Sequence, residues 1–371
     1  MGIPIPESAR IVLLQEDKFK NYYNELLYVL KEYERVIGKI RPITKILLAP
    51  HLEDLEYKLK PGMITLTWTS MNIDGYLRHV HSGLAKLEQL IIGINDIIEN
   101  RIENNLKAIS KVILVEMPED NHTYSQDEFV ELQQTSAKLQ TDLLTCKNIE
   151  VENAVDDLLD LICGYPLDSH VGTINPEEIT KLKKYYNWTM YQALLHCTKN
   201  SLNAMKNRVC EKRDKGSQQT LTQQSPFFEV DVKLESGVDT IEVKISPTLE
   251  DVQEHINRAA IAVLKCSKSV INWFQQNKAD DEEKESFYDM IAQDKEIVKV
   301  ILLLTGSIHG TKNLVSHYLE SFMKYKWLWQ EDVEAELRKF SKKDPSIDDF
   351  EEKLKKFTKI EAEIEGFPPI F

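Results

Sequence analysis

Residues 72–115 read NIDGYLRHVHSGLAKLEQLIIGINDIIENRIENNLKAISKVILV, and the order of their apolar positions decides the fold class. Leu84, Leu87, Ile91, Ile94 and Ile98 follow one another at steps of three and four, the seam geometry of coiled coils and helical bundles. Some 40 residues at about 1.5 Å each make a rod about 60 Å long, more than one compact globule usually needs. The expectation is an all-α chain, an elongated array of helical bundles in series.

Upstream, Leu26, Leu30, Tyr33, Ile37 and Ile40 make one helical stripe in a segment from Ser8 to Ile40. A shorter helix starts near His51 and is expected to stop at Lys60-Pro61-Gly62, where Pro and Gly both oppose continuation. A brief extended segment follows, Ile64 to Trp68.

Downstream, Ser125 with Glu128 forms a capping box that opens a helix to about Ile162, with a bend expected near Lys147-Asn148. Gly164-Tyr165-Pro166 ends it. Asn175-Pro176 reads as N-cap and first residue of a helix to about Arg213. Residues 214–225, DKGSQQTLTQQS, lack aromatics and read as a flexible linker. Phe228, Val230, Val232 and Leu234, then Ile241, Val243 and Ile245, alternate with polar residues, which predicts one small β-hairpin inserted among the helices.

Ser246-Pro247 is expected to open a helix to about Gln276, interrupted by the acidic run 279–285. Residues 287–340 read as helical with a weak point at Gly306 and Gly310. Ser346 caps a last helix carrying Phe350, Leu354, Phe357 and Ile360. In all, nine or ten helices are expected, divided into bundles at 1–213, the linker at 214–225, hairpin plus helix at 226–278, and a further bundle at 279–371.

Composition narrows the function. With 46 Lys and Arg against 60 Asp and Glu, the net charge of −14 repels a phosphate backbone, so nucleic acid is not an expected partner. No apolar run approaches the roughly 20 residues that span a bilayer, so no membrane partner is expected either. Five cysteines, an odd number lying mostly in helical patterns, read as reduced thiols. The N-x-T sequons at Asn121 and Asn187 are then chance matches.

Three motifs invite a chemical reading. Asp156-Asp157-Leu158-Leu159-Asp160 has the D-D-x-x-D spacing that holds magnesium in some all-helical enzymes, but the facing acidic motif is missing and a solvated acidic face explains it better. Gly306-Ser307-Ile308-His309-Gly310-Thr311-Lys312 is one residue short of a phosphate loop and lies between helical patterns, so it reads as a kink or turn. His196-Cys197 are helix neighbours whose side chains diverge, which makes Cys197 a packing residue. Tyr318, Phe322, Tyr325, Trp327 and Trp329 gather near the end of the chain; bundle packing is the plainer reading, and Trp327 and Trp329 are candidate interface residues. Phe227 and Phe228, beside the hairpin edge, are candidates for receiving a partner strand.

Leu59, Pro61, Gly62, Leu66, Trp68 and Ser70 stand in an L-x-P-G-x-x-x-L-x-W-x-S pattern that resembles a signature of the dynein heavy chain tail, or stem. IPIPESARIVLLQEDKFKNYYNELLYVLKEYERVI, residues 3–37, resembles the helix that precedes it in axonemal chains, and Asn72-Ile73-Asp74-Gly75-Tyr76 is most similar to outer-arm chains. The hairpin with Ser246-Pro247-Thr248-Leu249-Glu250, Gln253, Asn257 and Trp273 resembles the end of the conserved stem region, and 287–360 its continuation.

The resemblance implies a non-catalytic stem segment in the cytoskeleton of the cilium or flagellum. Implied partners are intermediate chains, light or light intermediate chains, other heavy chains and docking components on doublet microtubules. It carries over no catalytic, metal or cofactor residue. Without linker, AAA ring, stalk or the usual dimerisation region, the chain is expected to be an internal stem piece of a longer protein. The competing readings are a spectrin-like tethering scaffold, which would lack the hairpin, and a magnesium-dependent enzyme using Asp156, Asp157 and Asp160.

Overall fold

The computed structural model describes residues 6–67, 70–116, 124–167, 172–209, 231–236, 241–273, 286–330 and 333–367. They form thirteen α-helices and a single antiparallel hairpin, so the chain is all-α with one β insertion. Two compact units divide it, Met1–Ser110 with Thr145–Ala193 and Ile271–Glu285, and Lys111–Leu144 with Leu194–Val270 and Ser286–Phe371. Among the described residues no helix is long and apolar enough to cross a membrane.

The first unit is built on α1 (Glu7–Leu14), α2 (Glu16–Gly38), α3 (Ala49–Ile64), α4 (Ile73–Asp96) and α5 (Asn104–Lys111), of which α4 packs against both α2 and α3. Leu84, Leu87, Ile91, Ile94 and Ile98 are all buried, as the seam predicts. From Ile94 the buried positions step by four, through Ile98 and Ile102 to Leu106 at the core edge. On an α-helix each such step precesses by about 40° and would turn Leu106 off the seam. A π-helical segment, Ile97–Glu103, with its wider i to i+5 winding, takes up that drift and joins α4 to α5 without a break.

Two expectations fail in this unit. In α2 the buried residues are Tyr22, Val29 and Val36, flanked by Leu26, Tyr33 and Ile40, whereas Leu30 is 58% exposed. Two overlapping seams share Leu26, Tyr33 and Ile40, and the position of α4 selects the one through the valines.

The second failure is at Lys60-Pro61-Gly62, which does not stop α3. The helix runs one further turn to Ile64, and the Pro61 carbonyl accepts from the backbone N–H of Thr65 at 3.0 Å and of Leu66 at 2.9 Å. Thr65 is still in the helical basin, so the extended segment expected from Ile64 is absent at its start; Trp68 lies outside the described residues.

Two long helices, α6 (Gln126–Cys163) and α7 (Pro176–Val209), each contribute residues to both units. Their starts follow the local code. The Ser125 backbone N–H donates to the Glu128 carboxylate at 3.2 Å while the Glu128 N–H donates to Ser125 Oγ, and Asn175 Oδ1 accepts from the Glu177 N–H at 3.0 Å. α6 passes Lys147-Asn148 as uninterrupted helix. At its end a Cβ on Gly164 would stand 2.7 Å from the Asp160 carbonyl, so only glycine closes this terminus.

In the second unit β1 (Asp231–Ser236) pairs antiparallel with β2 (Ile241–Ser246), Val232 opposite Ile245 and Leu234 opposite Val243. Then come α8 (Leu249–Cys266), α9 (Tyr288–Ala292), α10 (Lys295–Met323), α11 (Trp327–Gln330), α12 (Val333–Ser341) and α13 (Ile347–Glu365).

Thr248, not Ser246, caps α8, through a reciprocal box with Asp251, and α8 ends at Cys266 rather than near Gln276. Asp294 caps α10 by accepting from the N–H of Glu296 and Ile297. α10 continues through Gly306 and Gly310, because a helical glycine costs only about 1 kcal/mol against a strong flanking pattern. The turn expected there does not form. The count exceeds the nine or ten expected because short helices such as α1, α9 and α11 stand separately.

Candidate interaction surfaces

Leu59 to Thr67, with Ser70, form the corner between α3 and α4. Leu59 is half-buried against the first unit's core, and its carbonyl accepts from Tyr76 Oη at 3.1 Å. The Tyr76 ring lies flush on Gly62, where a Cβ would meet Cζ at 2.5 Å and also collide with the hydroxyl oxygen. Burial pushes the Tyr76 phenol above its ordinary range. Thr65 Oγ1 adds a third bond to the Pro61 carbonyl, at 3.0 Å. Ser70 closes the turn, its Oγ accepting from the Thr67 N–H at 3.0 Å and its own N–H donating to the Thr67 carbonyl at 2.9 Å. Leu59, Pro61, Gly62, Leu66 and Ser70 thus shape a corner, each through backbone geometry or packing.

A second polar node ties three distant stretches of the first unit. Trp273 Nε1 donates to Oδ1 of the buried Asn148 at 3.0 Å, and the Trp273 N–H donates to Asn187 Oδ1 at 3.1 Å. The Asn187 amide donates in turn to Asn272 Oδ1 at 2.8 Å. Asn187 therefore spends its side chain internally, in keeping with a sequon met by chance. Neither Asn148 nor the pairing of Asn187 has a local sequence signal.

Charge is arranged along the helix faces. The Asp156 carboxylate pairs with Lys183 at 2.7 Å and that of Asp157 with Arg101 at 2.5 Å, which bridges α6 to α7 and to the π-helical segment. Two of the three carboxylates of the D-D-x-x-D stretch are thus engaged in ion pairs. Between α2 and α4, Glu88 receives Arg35 at 2.5 Å and Lys39 at 2.7 Å, and these cations lower its carboxyl to about 2. Cys197 and Cys266 are buried; removal from water pushes the Cys197 thiol up to about 12, which keeps it protonated, as a packing residue should be.

The aromatic group near the chain's end divides in two. Phe322 and Tyr325 are buried, with the Phe367 ring 4.8 Å from Phe322, and Tyr325 Oη donates to the Glu363 carboxylate at 2.5 Å. Trp327 and Trp329 are only half-buried; Trp327 lies 6.0 Å from Phe357. On α12 and α13 several apolar side chains are exposed. Leu337, Ile347, Phe350 and Leu354 are 56–80% exposed, and α13 has no buried residue. The hairpin shows the same character, with Val232 and Leu234 exposed on the face where only Ile245 is buried. Phe227 and Phe228 lie outside the described residues.

A row of lysines was not singled out in the sequence. Lys343, Lys353, Lys355, Lys356 and Lys359 line an open groove between α12 and α13 of about 680 Å³, together with Phe340, Pro345, Asp349 and Glu352. The recurrence of Lys353, Lys356 and Lys359 every three residues was its visible trace.

Residues 1–76 match the family model described as dynein heavy chain, N-terminal region 1. Over 92% of its length the chain is 41% identical to the dynein gamma chain of the flagellar outer arm of Chlamydomonas reinhardtii, covering 7% of that protein. It is 25% identical over 99% of its length to dynein axonemal heavy chain 5 of Mus musculus, covering 10% of it. To the dynein-1-alpha heavy chain of the flagellar inner arm I1 complex of Chlamydomonas reinhardtii it is 28% identical over 94% of its length, covering 8%. The chain spans about a tenth or less of the length of these relatives.

Proposed function

The chain belongs to the dynein heavy chain family, in its axonemal branch, and we propose that it works as a non-catalytic stem segment, a scaffold on which other subunits of the motor assemble. Its place is the axoneme of the cilium or flagellum. Its partners are intermediate chains, light or light intermediate chains, neighbouring heavy chains and docking components on the doublet microtubule, and its role is to hold them in register for ciliary movement.

The observation that carries this reading is the exposed apolar surface of otherwise polar helices. On α12 and α13, Leu337, Ile347, Phe350 and Leu354 stand in solvent, and the half-buried Trp327 lies near Phe357 of α13. Exposed apolar side chains that recur on one helix face, as Ile347, Phe350 and Leu354 do at steps of three and four on α13, are characteristic of protein–protein contact. The polar motifs that invited an enzymatic reading support the same conclusion, since Asp156 and Asp157 bridge helices and Gly306 to Lys312 lie inside α10.

Mixing the purified chain with a recombinant axonemal dynein intermediate chain tests the proposal by co-elution in size-exclusion chromatography. A stable co-eluting complex is expected, weakened when Phe350 and Leu354 are both changed to Ser. Separate elution of a chain shown to be folded by circular dichroism would overturn it, as would ATP hydrolysis by the chain alone.

A further inference from the structure

The chain carries a net charge of −14, yet five lysines gather on one groove between α12 and α13. Its two carboxylates are weaker opposition than their number implies. Asp349 is occupied by the α13 cap, accepting from the Ser346 N–H at 3.0 Å and from Ser346 Oγ at 2.7 Å. Glu352 remains. Of the lysines, Lys355 reaches Glu351 at 3.6 Å, Lys356 lies 5.6 Å from the Trp327 ring centre, and Lys353 stands 4.1 Å over the Phe340 ring.

Lys353, Lys356 and Lys359 recur every three residues along α13, which spreads them over about 9 Å of helix rise and about 120° around the axis rather than gathering them at a point. Such spacing suits a run of carboxylates better than a single compact anion, and ammonium groups act as point charges without the fixed fork that guanidinium offers phosphate. The lining is not purely ionic either, because Phe340 and Pro345 form an apolar stretch of it.

We propose that this groove binds an acidic segment of a partner protein, one rich in Asp and Glu with an aromatic or aliphatic side chain set against Phe340. The proposal rests on the scaffold reading above and gives one of its partners a chemistry. A strand or helix with this composition meets complementary charge here and repulsion over most of the rest of the chain, which directs it to one site.

Fluorescence anisotropy with a fluorescein-labelled dodecapeptide of glutamate interrupted by one phenylalanine is the direct test, using the whole chain. Saturable binding is expected at about 50 mM salt and should weaken about tenfold by about 300 mM, as solvent-exposed charges are screened. Lys353→Glu with Lys356→Glu and Lys359→Glu should abolish it. Lys343→Glu with Lys355→Glu, which leaves the Lys353–Phe340 contact in place, should weaken it at least about threefold, while Lys31→Glu with Lys45→Glu on the first unit should change nothing.

The all-glutamate peptide should bind at least about threefold more weakly than the one with phenylalanine. No binding at low salt, equal loss in the first-unit variant, or equal affinity of the two peptides would overturn the proposal. So would lysine-dependent binding of phosphatidylserine vesicles tighter than that of the peptide. Failure here alongside intact co-elution with an intermediate chain would remove the groove and leave the scaffold standing.

Discussion

The helices α4 and α13 are both amphipathic, yet they are held in opposite ways. α4 has no side-chain cap, since Asn72 makes none, and it buries eight residues from Ile73 to Ile94. α13 has a complete capping box, Ser346 with Asp349, and buries nothing. The first helix is a product of its neighbours. The second is specified locally, and among the described residues its apolar side chains stay unburied. A scaffold needs both kinds, one to keep its form and one to offer a surface.

The largest expected effect tests the buried half of that contrast. Ile91 is 1% exposed in the α4 seam, so Ile91→Ala should destabilise the first unit by about 2–5 kcal/mol in urea unfolding. Leu354→Ala on α13 removes a comparable side chain that is 56% exposed and should shift stability by less than about 0.5 kcal/mol. Equal effects would mean that the α13 face is covered within the chain.

Trp273→Phe should cost about 1–3 kcal/mol, because it leaves the buried Asn148 Oδ1 without its indole donor. Trp188→Phe, at a position 57% exposed, should be nearly neutral in the same measurement. At the α3–α4 corner Gly62→Ala should destabilise by about 1–3 kcal/mol through its collision with Tyr76. In a Tyr76→Ala background the penalty should vanish, since alanine is otherwise the better helix former. A double-mutant cycle without coupling would disprove the close approach.

These sites also mark what the letters disclosed. The seam of α4 and the caps at Ser125, Asn175 and Ser346 were legible because each is a local rule, a period or a short-range hydrogen bond. The stop at Pro61-Gly62 was misread because both residues are breakers in isolation, whereas a turn from the end of a helix the Pro61 carbonyl can still collect the last bonds, and Gly62 serves the Tyr76 ring. Leu30 was misplaced because two seams overlap in α2 and only the partner helix chooses between them.

Nothing local announces the Trp273 node, whose partners are 125 and 86 residues away in sequence. Of the interaction surface, the aromatic residues were visible as composition. The lysine groove was visible only as the recurrence of Lys353, Lys356 and Lys359, because its other wall comes from Phe340, Lys343 and Pro345 earlier in the chain.

Ser346→Ala probes the locally specified half. Loss of the cap should cost about 1 kcal/mol, and because nothing buries α13, the loss should appear as faster amide exchange at the start of that helix alone. The melting of the first unit should stay where it was. A global shift instead would show that α13 is coupled to a core after all.

The smallest effect belongs to the best-connected charge in the packed unit. Glu88 holds Arg35 and Lys39 across α2 and α4, and its carboxyl is lowered from 4.5 to about 2. A depressed folded value means a contribution present above the unfolded value near 4.5 and lost as the pH falls through about 2. The group is solvent-facing, so screening leaves only a small part of that shift as stability. Glu88→Gln should therefore lower stability slightly at pH 7, less so in high salt, with the difference shrinking as the pH falls below 4.5 and vanishing once it is below about 2. Unfolding titrations of both proteins across that range check it. A large, salt-independent loss would place Glu88 among the determinants of the core, and the contrast between α4, held by burial, and α13, held by its cap, would fail at the ion pair that joins α4 to α2.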